Sequence, residues 1–142
     1  MSVSARNVFK GKVTSVKDGA VNAEVELTLA GGDKIVAIVT EGSVKDLGIA
    51  VGKEAIAYVK APWVMLLAGP QAVKFSARNQ LSGKVSVIHK GAVNSEVGIT
   101  LAGGATVFAV VTNEAVLELS LKEGVEATAL IKASHVILGV PA

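Results

Sequence analysis

Val21-Asn22-Ala23-Glu24-Val25-Glu26-Leu27-Thr28-Leu29 alternates apolar and polar residues with a period of two, which predicts a β-strand with one buried and one wet face. Before it, Lys17-Asp18-Gly19-Ala20 carries turn residues, and Val8 to Val16 holds a looser strand pattern. After it, Gly31-Gly32-Asp33 makes the next turn. Ile35 to Val39, Ala55 to Val59 and Val64 to Leu67 are continuous apolar runs, which suit strands covered on both faces. Val44 and Leu47 mark a short helix between the third and fourth strands, with Thr40 or Ser43 as its cap. The order β-β-β-α-β-β is that of a small five-stranded barrel of the oligonucleotide/oligosaccharide-binding (OB) type.

The whole pattern is written twice. Ser4-Ala5-Arg6-Asn7 recurs as Ser76-Ala77-Arg78-Asn79, Gly19-Ala20-Val21-Asn22 as Gly91-Ala92-Val93-Asn94, Leu29-Ala30-Gly31-Gly32 as Leu101-Ala102-Gly103-Gly104, and Lys60-Ala61 as Lys132-Ala133. Laid residue on residue, 4–70 and 76–142 share 31 of 67 positions without a gap, so the chain is a tandem duplication. The expected organisation is a first domain over 1–68, a linker over 69–75 and a second domain over 76–142. The expected fold class is all-β with one short helix per unit, as two tandem OB-type barrels. The second helix takes Thr112 or Asn113 as its cap. A unit this small has a thin core, so pairing of units is expected.

Composition narrows the function. The 142 residues carry 14 Lys+Arg against 12 Asp+Glu, for a formal net charge of +2; that balance gives no strong hold on nucleic acid or anionic lipid. The absence of cysteine excludes disulfides, thiolate metal sites and thiol nucleophiles. The longest uncharged stretch, Val97 to Asn113, is broken by Gly103-Gly104 and falls short of the roughly 20 apolar residues of a membrane span. Residues 1–12 hold no apolar run of the kind a signal peptide needs, which points to the cytoplasm. A hydrophobic fraction of 51% without a membrane segment suggests subunits that bury apolar surface against one another.

The residues retained in both copies are rich in hydrogen-bond donors. Ser4 offers a hydroxyl, Arg6 a guanidinium, Asn7 an amide and Lys60 an ammonium, while Ala5 and Ala61 leave room for a ligand to approach backbone N–H groups. No carboxylate lies inside these runs, so they suit an anion, and a doubly charged one. Gly19/Gly91 and Asn22/Asn94 tolerate the left-handed backbone that builds an anion-holding nest. Each feature also has a plain reading: a solvated cation, a strand start, a hairpin turn.

Other chemistries have less support. His89 and His135 correspond to Lys17 and Trp63, so neither belongs to a duplicated site, and no metal-cation cluster or cofactor is expected. Glu24 and Glu96 are retained on a wet strand face and are expected to be solvated. No nucleophile with an adjacent base can be assembled, so no catalysis is expected. The aromatics Phe9, Tyr58, Trp63, Phe75 and Phe108 have no aromatic counterparts in the other copy, which leaves no stacking platform for nucleic acid.

Ser4-Ala5-Arg6-Asn7, Gly19-Ala20-Val21-Asn22 and Lys60-Ala61-Pro62-Trp63, in a unit of this length, resemble the molybdate-binding Mop domain. Two such units in one chain resemble the double-Mop molbindins. The resemblance implies a trimer of two-domain chains, with molybdate or tungstate held at interfaces between domains. One kind of site would use Ser4, Ala5, Arg6, Asn7, Lys60 and Ala61, and in the second unit Ser76, Ala77, Arg78, Asn79, Lys132 and Ala133. Such sites are expected to combine Ser-Ala-Arg-Asn of one unit with Lys-Ala of another. A second kind, nearer the threefold axis, would draw on Gly19, Ala20, Val21 and Asn22 and on Gly91, Ala92, Val93 and Asn94. Ser134, which replaces Pro62, adds a hydroxyl. The function implied is cytoplasmic storage and homeostasis of the oxyanion. The alternatives are an oxyanion-sensing regulatory module and, more weakly, a nucleic-acid-binding barrel.

Overall fold

The computed structural model describes residues 1–142. Strands β1 (Asn7–Asp18), β2 (Asn22–Leu29) and β3 (Lys34–Thr40) lead into helix α1 (Glu41–Leu47), β4 (Glu54–Val59), a 3-10 turn (Ala61–Trp63) and β5 (Met65–Leu67). The second copy repeats this as β6 (Asn79–Lys90), β7 (Asn94–Leu101), β8 (Thr106–Thr112), α2 (Asn113–Glu118), β9 (Glu126–Ile131), a 3-10 turn (Ala133–His135) and β10 (Ile137–Gly139). The fold is mostly β, with one short helix per unit, as the residue pattern predicts.

In β2 the alternation is realised: Ala23, Val25, Leu27 and Leu29 are buried and the polar residues between them lean outward. The apolar runs of β3 and β4 are less enclosed than expected. Ile35, Ala37, Ala55, Ala57 and Val59 are buried, whereas Val36, Ile38, Ile56 and Tyr58 are half-buried.

β1 serves two partners, its first half pairing with β4 and its second with β2. The register shifts between Val13 and Ser15, and again between Val85 and Val87 in β6. Such a bulge bends the strand and curls the sheet. Gly11 lies beside the bend, where a Cβ would sit 2.5 Å from the carbonyl oxygen of Thr28, so no larger residue fits. Thr40 caps α1 by accepting from the Ser43 N–H at 3.1 Å, and Thr112 caps α2 from the Ala115 N–H at 3.1 Å. After α1 the chain turns through Gly48 at φ +63°; after α2 it turns through Ser120 at φ +52°, the one non-glycine residue in left-handed backbone.

The sheets cross the repeat boundary. β5 pairs with β9, Met65 opposite Leu130, and β10 pairs with β4, Ile137 opposite Tyr58. Their strand orders are β10-β4-β1-β2-β3 and β5-β9-β6-β7-β8. Each unit thus builds four strands of its sheet and receives the fifth from the other, where closure within each unit was expected. A single hydrophobic core runs through both, from Phe9, Leu27 and Val59 to Val85, Ile99 and Ile131. The two Leu-Ala-Gly-Gly turns meet across the approximate twofold axis, where a Cβ on Gly31 would collide with the backbone of Gly103. That contact accounts for the retention of this run in both copies.

Candidate functional site

Strand register brings the first pair of runs together. Asn7 lies opposite Val59 and Asn79 opposite Ile131, so Arg6 leaves β1 beside Lys60, and Arg78 leaves β6 beside Lys132. Within the chain, the two runs of one unit therefore lie side by side.

In the second unit these residues line an open groove of about 420 Å³. Ser76, Arg78, Lys132, Ser134 and His135 supply its polar groups, with Ile38, Trp63, Met65, Phe75 and Leu130 among its apolar walls and no Asp or Glu. At about 30 Å³ per water molecule, the groove has room for roughly fourteen waters. A single tetrahedral anion needs a further wall to be gripped on all sides. Trp63 and His135, equivalent positions in the two units, pack their rings 5.2 Å apart, which places His135 where the units meet and also on the groove.

Asn7 and Asn79 are not free to bind an anion, contrary to the expectation. The Asn7 amide accepts from the Phe108 N–H at 2.7 Å and donates to the Phe108 carbonyl at 2.8 Å. Asn79 does the same to Val36, at 2.7 Å in both directions, and also donates to the Ile131 carbonyl at 3.3 Å. Both residues are buried. Each amide acts as a short strand edge that ties its own unit to the third strand of the other. Ala61 and Ala133 are buried too, each in a 3-10 turn packed on the third strand of the opposite unit. Their small size serves that close packing.

The expectation that Glu24 and Glu96 are merely solvated is also overturned. Arg78 Nη2 lies 2.6 Å from Glu24 Oε1, and Arg6 Nε lies 3.3 Å from both carboxylate oxygens of Glu96. Both pairs cross from one unit to the other. Retention of Glu24 and Glu96 in both copies is the sequence signal for this, but nothing in a strand pattern shows which residue faces them. Ser4, Lys60, Ser76, Lys132 and Ser134 remain exposed, and Ala5 and Ala77 half-buried.

The second pair of runs sits elsewhere. Gly19 to Asn22 joins β1 to β2 at the end of β1 remote from Asn7, and Gly91 to Asn94 does the same for β6 and β7. Left-handed backbone is absent at Gly19, Asn22, Gly91 and Asn94, which corrects the expected nest. Glycine is required there by space: a Cβ at Gly19 would lie 2.5 Å from the Asn22 carbonyl oxygen, and one at Gly91 2.6 Å from that of Asn94. The turns differ in charge. The Gly19 N–H donates to the Glu41 carboxylate at 3.2 Å, whereas Asn113, the residue equivalent to Glu41, donates its amide to the Gly91 carbonyl at 2.9 Å. Val21 and Val93 stand at 71% exposure, a marked apolar display at both turn apices.

Comparison with known proteins agrees with this layout. The TOBE domain family matches residues 3–66 and again 76–138. The molybdenum-pterin-binding protein MopA of Rhodobacter capsulatus is 45% identical over 141 residues, 99% of this chain and 53% of MopA. The molybdenum transport protein ModE of Azotobacter vinelandii is 45% identical over 140 residues, 99% of this chain and 52% of ModE. The chain thus spans about half the length of these curated relatives. A crystal structure of the cytoplasmic molybdate-binding protein ModG with molybdate bound superposes with a TM-score of 0.94 at 56% identity, covering 99% of this chain and all of that one.

Proposed function

The chain belongs to the TOBE-domain family, with two such domains in tandem, and on that premise we propose that it binds molybdate in the cytoplasm and releases it unchanged. The observation that carries this reading is the groove of the second unit, where a guanidinium, an ammonium, two hydroxyls and an imidazole converge without a carboxylate on the lining. Molybdate is a dianion that only accepts hydrogen bonds, so such a donor set satisfies it. Tungstate, with the same charge and nearly the same size, fits the same donors. The likeness to ModG, crystallised with molybdate, supports the ligand and the compartment.

The proposed ligands in the second unit are Ser76, Ala77, Arg78, Lys132 and Ser134, and in the first Ser4, Ala5, Arg6 and Lys60. A homotrimer is proposed to supply the missing wall. Val3, Val8, Val21, Met65, Val93 and Ile137 are exposed and give the assembly apolar surface to bury. In that trimer the Gly-Ala-Val-Asn turns form the second kind of site. A sensing role in a larger regulatory system is a second reading, favoured by the match to ModE along this whole chain; a change in co-purifying proteins on adding molybdate would support it.

Calorimetric titration of the purified protein with molybdate tests the binding reading. Saturable heat and a rise in melting temperature with ligand are expected, and the Arg78→Ala/Lys132→Ala double variant should lose the part of both that belongs to the second unit's site. Absence of heat in the unaltered protein would refute it.

A further inference from the structure

We propose that Glu24 and Glu96 are internal counter-anions of the oxyanion sites: each holds the arginine of the opposite unit until the incoming dianion displaces it. This rests on the reading of Arg6 and Arg78 as oxyanion ligands.

The outward face of β2 presents Glu24, and that of β7 presents Glu96. The guanidinium groups they meet are about half exposed, 52% for Arg78 and 48% for Arg6, while the carboxylates are 25% and 26% exposed. The carboxylates are thus the better-anchored partners; Arg78 is the arginine free to turn, while Arg6 is also held on the Phe108 ring and yields less readily. A guanidinium has five N–H donors, and the carboxylate occupies one edge of it. A tetrahedral dianion brings twice the charge, and in the groove it also draws on Lys132 and Ser134, which the carboxylate does not reach. It therefore wins the arginine. A monoanion such as chloride or nitrate must displace the same carboxylate with no advantage in charge, so the pair selects for dianions. Because both pairs tie one unit to the other, displacement at either site also loosens a link between the units.

Glu26 provides an internal control. It stands two residues along β2 on the same face, but its partners are the Thr14 hydroxyl, which donates to it at 2.9 Å, and Lys34, at 3.6 Å. Titration with molybdate should compare the unaltered protein with Glu24→Gln, Glu96→Gln, Glu24→Asp and Glu26→Gln, each checked for an unchanged melting profile. Removing a surface competitor of this kind should tighten the apparent Kd about two- to fivefold in Glu24→Gln and Glu96→Gln. Chloride should compete better in these variants than in the unaltered protein. Glu24→Asp keeps the charge but withdraws it by one methylene, and should tighten binding as well; Glu26→Gln should not. Unchanged or weaker affinity in the Glu24 and Glu96 variants, with the unaltered protein binding normally, overturns this proposal alone. Equal tightening in Glu26→Gln overturns it too, since that would be general charge repulsion. If no protein in the series binds molybdate, the oxyanion reading itself fails and this one falls with it.

Discussion

Arg6 and Arg78 occupy the same place in two copies of one unit and are held differently. Arg6 lies flat on the Phe108 ring, Cζ 3.5 Å from the centroid, and meets Glu96 through Nε. Val36 stands where a ring equivalent to Phe108 would be, and Arg78 meets Glu24 through its terminal Nη2. The stacking contact stabilises Arg6 in place by about 0.5–1 kcal/mol, an anchor that Arg78 lacks. The divergence extends to Pro62-Trp63 against Ser134-His135 and to Glu41 against Asn113. What stays constant is the framework: the asparagine clamps, the touching glycine turns and the threonine caps. Duplication has kept the parts that lock the units together, while Ser134 and His135 give the proposed site of the second unit a hydroxyl and an imidazole that Pro62 and Trp63 do not offer in the first.

The comparison can be broken most severely at the framework. Asn79→Leu removes both bonds to Val36 and leaves its buried N–H and C=O unpaired; a loss of about 2–5 kcal/mol is expected, read by denaturant unfolding. Asn7→Leu should cost a similar amount, because the clamps are equivalent; a large difference would show that they are not. Next, Arg78→Ala should weaken molybdate binding by about 10- to 100-fold at its site, the range expected for a charged hydrogen bond, and calorimetry should show a smaller loss for Arg6→Ala. Phe108→Val gives the second unit the residue that the first has at Val36. It should lower stability by about 1 kcal/mol and free Arg6, bringing the two affinities closer. The smallest effect is expected at Ser120→Gly, which copies Gly48 and relieves left-handed strain, raising stability by about 0.5–1 kcal/mol.

The strands, the helix caps and the duplication are legible in the sequence because each depends on neighbours a few residues away. The period-two face of β2 and the Thr40 cap are of this kind. The exchange of β5 and β10 is not legible. Leu66 meets Ala129 in the other unit, where Ala57, its counterpart at home, would have offered the same side chain. Composition thus favours neither partner. Arg6, Lys60 and their repeats are proposed as anion ligands on the charge that the sequence already displays. Asn7 and Asn79 misled, since an amide that could donate to an anion serves equally as a clamp on backbone. Glu24 and Glu96 were hidden because their partners lie 54 and 90 residues away along the chain.

The exchanged strands also order events during synthesis. The first sheet waits for its edge until Ile137 to Gly139 emerge from the ribosome, so neither sheet is complete while only the first repeat has been made. A fragment carrying one repeat alone would have to recruit a second fragment to complete its sheet, and its folding would follow concentration. Linking the repeats makes that handshake unimolecular, at an effective concentration set by the short connection between them.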